Sequence, residues 1–303
     1  MNNSKNRKTI VTLRINKLNG RMLRLSAKKK NRSILLLYGQ HASLERMTGI
    51  AEVLNDYGEV IIPDLPGFGG MDSFYKIGLR PTLDNFADYL ASFIKLKYKN
   101  RKVTIVAMSF SFLIVTRMLQ KYPELTKKVD LLISSVGFLH KDDFHVPRKL
   151  KFAWSTATVL FGGRIGSKVA TYTILRPRNI RFFYSTVASK HPKLMGASKA
   201  EQAKRVDFEI KLWQINDFRT RMKTLKAMLR ADLCQQKVNL PVYHISVRGD
   251  FYFNNYTVEQ HMRVVYRDYV SLPTTLPAHM PSIVATKEDA DPFIPQKLRE
   301  LLK

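Results

Sequence analysis

The chain has 303 residues, 45% of them hydrophobic and 11% aromatic, enough for a large buried core in one domain or in a core with an insertion. Its single cysteine, Cys234, excludes an intramolecular disulfide and any cysteine-based metal cluster. Lys and Arg number 51 against 24 Asp and Glu, a formal net charge of +27, which favours contact with phosphates of nucleic acid or of an anionic membrane surface. These charges are spread along the chain, as in an organism whose proteins are all basic.

The N-terminal stretch is basic, but its apolar residues alternate with polar ones. No continuous apolar run marks a secretory signal, so a cytoplasmic protein is expected. The longest central apolar patch, around residues 152–161, is too short to span a bilayer. Residues 8–15 and 22–26 alternate apolar and polar, which predicts two half-buried strands joined at Asn19-Gly20. Residues 28–32 predict a solvated basic turn. SILLLY at 33–38 is continuously apolar, as a strand buried on both faces requires, and ends in Gly39-Gln40-His41. Helical spacing follows over 43–56. EVIIP at 59–63 predicts a second buried strand, ending in the DLPGFGG turn at 64–70. Pro81-Thr82 opens a helix to about Lys97, with Leu83, Phe86, Leu90 and Phe93 on one face.

VTIVAMSFSFLIVTRML at 103–119 passes from a β-branched run to helical spacing with almost no residues between. Ser109 stands at the break, between the small residues Ala107 and Ser111. A serine at such a strand-to-helix turn is held out from the sheet, and the following helix aims its N-terminus at it. VDLLIS at 129–134 predicts another buried strand. From about 141 to 238 buried strands disappear, and long helical spacings such as 148–173 and 208–233 take over amid dense basic residues. A strand returns at 240–247 and ends in Arg248-Gly249-Asp250. Helical spacing over 257–269 leads to a short last strand at 269–272, the stretch around His279, and a closing helix from Pro295.

Buried strands alternating with helices predict right-handed βαβ units and an α/β fold with a mostly parallel central sheet. In such sheets sites lie beyond the C-terminal ends of the strands, where the turns 39–43, 64–70 and 107–111 converge. Taken alone, Ser109 is a turn serine, Asp250 a turn or N-cap aspartate, and His279 a surface histidine. Their order, serine then aspartate then histidine after successive strands, gives them a joint meaning.

PDLPGFGG at 63–70, VTIVAMSFS at 103–111 with KYPELTKKVDLLISS at 121–135, PVYHISVRGD at 241–250 and AHMPS at 278–282 stand in the order of the α/β-hydrolase fold superfamily, which the chain resembles over roughly residues 8–140 and 237–303. The resemblance implies an α/β-hydrolase core in two parts, 1–140 and 239–303, flanking a mainly helical cap over 141–238. It implies Ser109 as nucleophile, His279 as base and Asp250 as acid, with Asp142 and Asp143 as alternative acids. The backbone N–H groups of Gln40 and Phe110 would bind the oxyanion, each contributing on the order of 3 kcal/mol to the transition state. It makes His41 a loop residue and Asp64 the organiser of the 64–70 turn.

A serine at the elbow argues against the carboxylate-nucleophile chemistry of epoxide hydrolases and haloalkane dehalogenases. Two departures stand out. Ala107 and Ser111 replace the common glycines, and Tyr38-Gly39 replaces the common His-Gly. A degenerate, non-catalytic binding protein is therefore the alternative. The expected substrate is a carboxylic ester, an acyl ester or lipid-like molecule, with no cofactor and no metal. Arg248 can attract an anionic group. Apolar cap residues (Phe152, Trp154, Leu160, Phe161, Leu175, Phe182, Phe183, Trp213) either pack a core or line an acyl pocket. Basic neighbours such as Arg148, Lys149, Lys151, Arg164 and Lys168 can hold the cap peripherally against anionic lipid. No recognition helix or RNA-binding aromatic motif points to nucleic acid.

Overall fold

The computed structural model of the chain describes residues 8–27, 32–187, 198–274 and 286–303. Eight strands form one sheet: β1 (Lys8–Ile15), β2 (Leu18–Leu25), β3 (Arg32–Leu37), β4 (Gly58–Pro63), β5 (Val103–Met108), β6 (Val129–Ser135), β7 (Val238–Val247) and β8 (Tyr266–Thr274). Their spatial order is β1-β2-β4-β3-β5-β6-β7-β8. The first two run antiparallel, and every pairing from β4 to β8 is parallel. Every residue of β4 and β5 is buried, which is why their sequences read as mostly apolar, with Glu59 and Thr104 as buried exceptions.

The N-terminal hairpin turns at Asn16-Lys17, not at Asn19-Gly20. Ile15 faces Leu18, and the two residues between them have φ of 49° and 66°. Two successive positive φ values give the turn that matches strand twist. Gly20 lies inside β2, where a Cβ would come within 2.6 Å of Met71.

Among the described residues, six helices flank the sheet: α1 (Thr48–Leu54), α2 (Leu83–Lys97), α3 (Phe110–Lys121), α9 (Asn255–Val265), α10 (Lys287–Ala290) and α11 (Gln296–Leu302). The crossover from β3 through α1 runs to β4, whereas those from β4 through α2 and β5 through α3 run the other way. Right-handedness then places α1 on one face and α2 with α3 on the other. Phe86 of α2 meets Phe110 of α3 edge-on at 5.6 Å. The direction of winding reverses between β3 and β5, so the crevice beyond their C-terminal ends is where a ligand site is expected. The last strand is longer than the pattern suggests. The helix before it stops at Val265, and Tyr266 turns its hydroxyl inward to Thr116, 2.6 Å away.

Between β6 and β7 run α4 (Arg148–Phe161), α5 (Arg164–Tyr172), α6 (Pro177–Val187), α7 (Lys199–Ile215) and α8 (Phe218–Met228). The long helical spacings are broken at Gly162-Gly163 and at Asn216-Asp217, where Asp217 accepts the Thr220 N–H at 2.6 Å as an N-cap. Ile180, Tyr184, Val206 and Ile210 form a small cluster of their own between α6 and α7. Among the described residues, no helix is long and apolar enough to cross a membrane.

Candidate active site

Ser109 is the single residue between β5 and α3. Its backbone has φ 50° and ψ −117°, a conformation that a residue with a Cβ adopts only under strain. The surroundings hold it there. Its N–H donates to the Ser135 carbonyl at 3.0 Å, fixing it to the end of β6, and its carbonyl accepts from Phe112 N–H at 3.0 Å. Ser111, the rival serine, is fully buried. Its hydroxyl accepts from Met108 N–H at 2.9 Å and lies 3.0 Å from the carbonyls of Leu37 and Met108. Ser111 therefore braces the elbow where glycine is common, while half-buried Ser109 is left at the crevice.

Gly39, at the end of β3, packs directly against that serine. A Cβ on Gly39 would stand 3.3 Å from Ser109 Cβ and 3.8 Å from its Oγ. Gln40 and His41 follow, and both engage residues of α7, α8 and the turn between them. Gln40 Nε2 donates to Thr224 Oγ1 at 2.6 Å and to the Arg221 carbonyl at 3.0 Å. His41, at φ 55°, is buried 4.3 Å from the Trp213 ring. Its Nδ1 is 3.3 Å from Asn216 Nδ2 and its Nε2 is 3.7 Å from Glu209 Oε2. Glu209 also accepts from the Tyr184 hydroxyl at 3.2 Å. The Arg221 guanidinium lies 4.1 Å over Trp213; burial lowers it to about 10, against the pull of Tyr184 and Glu209.

The 64–70 turn is tied to the same place. Asp64 is fully buried; it accepts from Arg21 Nε at 2.7 Å, Tyr38 Oη at 2.9 Å and Leu44 N–H at 3.2 Å. Burial pushes its carboxyl up to about 7, while Arg21, Tyr38 and Leu44 pull it down. Tyr38 thus serves the turn: its hydroxyl also accepts from Leu65 N–H at 2.8 Å. Across the turn, Gly69 N–H donates to Asn216 Oδ1 at 2.7 Å, and Asp217 N–H to the Gly67 carbonyl at 2.8 Å. Helices α7 and α8 are in this way bonded to both loops beside Ser109.

Asp250 lies three residues beyond β7, on the same sheet edge as Ser109 with β6 between them. Its Oδ1 accepts from Tyr252 N–H at 2.8 Å and Phe253 N–H at 3.2 Å, which fixes the carboxylate at the strand end. His244, inside β7, is pushed down to about 4 by burial, with the charge of Asp250 opposing, so it is neutral near pH 7. Of the alternative acids, Asp142 is exposed. Asp143 is buried and committed elsewhere: its Oδ2 accepts from the N–H groups of Leu139 and His140 at 2.9 Å, and its Oδ1 lies 2.6 Å from His261 Nδ1. Arg248 is exposed. His279 and the surrounding AHMPS motif fall outside the described residues.

The whole architecture recurs in solved structures. Cfl2 from Burkholderia cenocepacia matches over 97% of this chain and 95% of its own, at TM-score 0.69 and 14% identity. Epoxide hydrolase CorEH matches over 97% of each chain, at TM-score 0.68 and 14% identity. The esterase EaEST from Exiguobacterium antarcticum matches over 88% of this chain and 90% of its own, at TM-score 0.62 and 13% identity. The chain has the α/β-hydrolase fold. Neither a protein-family model nor a curated protein matches the sequence.

Within this α/β-hydrolase fold, sequence reasoning missed the residues that join α7 and α8 to the loops around Ser109. Asn216, Glu209 and Arg221 carried no local signal, because each acts through a partner distant in the chain; Asn216 and His41 are 175 positions apart. The apolar residues of the helices between β6 and β7 also divide unexpectedly. Trp213 packs on His41, and Trp154 packs against the main core, but Phe152, Leu160, Phe182 and Phe183 are exposed, neither core nor pocket lining. Among the described residues, no group of three or more His, Cys, Asp or Glu is placed to hold a metal ion.

Proposed function

We propose that this α/β-hydrolase-fold chain is a serine hydrolase that cleaves a carboxylic ester, an acyl ester or lipid-like molecule. The observation that carries the reading is Ser109 itself: a strained, half-buried serine between β5 and α3 at the reversal of the sheet winding, with Gly39 packed against it. A serine hydroxyl is a weak nucleophile near pH 7 and needs an adjacent base. His279 takes the Ser109 proton as Oγ attacks the ester carbonyl carbon. The tetrahedral oxyanion accepts from the backbone N–H groups of Gln40 and Phe110. Collapse breaks the C–O bond, and His279 returns the proton to the departing alcohol, leaving an acyl-enzyme. Water deprotonated by the same histidine releases the acid. Asp250 holds the imidazole in the right tautomer and stabilises its charged form.

Residues 141–238 act as the cap over the site, with core segments 1–140 and 239–303 on either side. The protein works in the cytoplasm and makes peripheral contact with anionic membrane. The alternative of a degenerate binding protein rested on Ala107 and Ser111 and on Tyr38-Gly39. Against it stands the Ser111 hydroxyl, which bonds Met108 N–H inside the turn and so serves the elbow that Ser109 needs. Turnover of p-nitrophenyl esters of increasing acyl length tests the reading. Activity that peaks at one chain length and vanishes in Ser109→Ala supports it; activity unchanged in Ser109→Ala overturns the nucleophile assignment.

A further inference from the structure

We propose that the outer face of α4, α5 and α6 is a docking surface for an anionic phospholipid bilayer. This deepens the lipid-ester reading by naming the surface that would carry the enzyme to its substrate. A helix on a water-soluble protein normally turns its apolar stripe inward. Helix α5 does the reverse. Ile165, Val169 and Tyr172, at i, i+4 and i+7, face solvent, with Ile165 80% exposed, while the buried positions are Ser167 and Ala170. Helix α4 turns Thr158 inward and leaves Phe152 73% exposed. In α6, Ile180 and Tyr184 pack on α7, yet Phe182 between them is 70% exposed. Large aromatics left in water on three consecutive helices mark an interaction surface.

The charge of this segment selects the occupant. From Phe144 to Ala200 the sequence has no aspartate or glutamate, while Arg148, Lys149, Arg164, Lys168 and Arg178 stand exposed among the apolar side chains. Basic residues beside exposed aromatics match an anionic bilayer, whose headgroups take the charge and whose acyl boundary takes the rings. Nucleic acid would answer the charge but leave the apolar stripe in water. A second copy would set the same positive face against itself. Because α7 and α8 are bonded to the loops beside Ser109, a bilayer on the outer cap face would hold the crevice close to the lipid surface.

The test is co-sedimentation of the Ser109→Ala protein, which leaves the lipid uncleaved, with phosphatidylcholine vesicles with and without phosphatidylglycerol. The proposal expects binding only where phosphatidylglycerol is present, weakened by salt. It expects Ile165→Asp with Val169→Asp, and separately Arg164→Glu with Lys168→Glu, to lower the partition coefficient at least about tenfold, with the melting temperature unchanged. No binding to the anionic vesicles overturns the proposal, as does binding that neither pair of substitutions reduces. Salt-sensitive binding of duplex DNA without vesicle binding, or a dimer that the substitutions dissociate, overturns it in favour of those partners. Absence of vesicle binding by the Ser109→Ala protein refutes the surface alone. Ester turnover unchanged in Ser109→Ala refutes the nucleophile and leaves the surface standing.

Discussion

Replacing Ser109 with glycine should stabilise the fold while removing the nucleophile. At φ 50° and ψ −117° the residue sits where only glycine is unstrained, and such a position costs about 1–3 kcal/mol for a residue with a Cβ. Glycine recovers that strain but returns about 0.5–1 kcal/mol through the greater freedom of the unfolded chain. It also leaves a small gap where Ser109 Cβ now meets Gly39. The net expectation is a gain of about 1 kcal/mol for Ser109→Gly. Ser109→Ala keeps the Cβ and therefore the strain, so it should unfold with the wild type. Urea unfolding of all three proteins at one pH reads the difference as a shift in midpoint at constant slope. A Ser109→Gly protein no more stable than Ser109→Ala would refute the claim that the elbow stores strain.

Burial holds His244 near 4, below its ordinary 6.5, so the unfolded chain takes up a proton that the folded chain refuses. That contribution is complete above the ordinary value and is lost as pH falls from there toward 4; between about pH 7.5 and about pH 4.5 the loss is about 2.5 kcal/mol. His244→Asn should flatten this limb relative to wild type in urea titrations at the two pH values, and an unchanged slope would contradict the assignment. Asn216→Ala removes the acceptor for Gly69 N–H and the contact with His41, and should cost about 2 kcal/mol of stability and slow acylation at Ser109. Asn216→Asp, which keeps an acceptor, should recover part of the stability, as thermal melts and labelling rates would show.

The central strands were legible because burial on both faces writes itself as mostly apolar runs, and SILLLY and VTIVAM are such runs. The elbow was legible for a related reason: a strand pattern meets a helix pattern across one residue. The hairpin turn was misplaced because Asn19-Gly20 looks like a turn in composition, whereas its glycine answers to Met71 across the sheet. Helical spacing between β6 and β7 gave the period but not the direction of the stripe. The same spacing describes Phe182 facing water and Tyr184 facing α7. The partner of Asp143 was not legible either, because it pairs with His261, 118 positions away. The ties between helices α7 and α8 and the loops, through Asn216, Trp213 and Gln40, are all of this long-range kind.

The central claim is that Ser109 is an activated nucleophile. A fluorophosphonate probe followed by mass mapping of the labelled peptide tests it most directly. One adduct is expected, on the peptide that contains Ser109, absent in Ser109→Ala and strongly slowed in His279→Ala. No adduct on the folded wild-type protein, or an adduct that persists in Ser109→Ala, would contradict it.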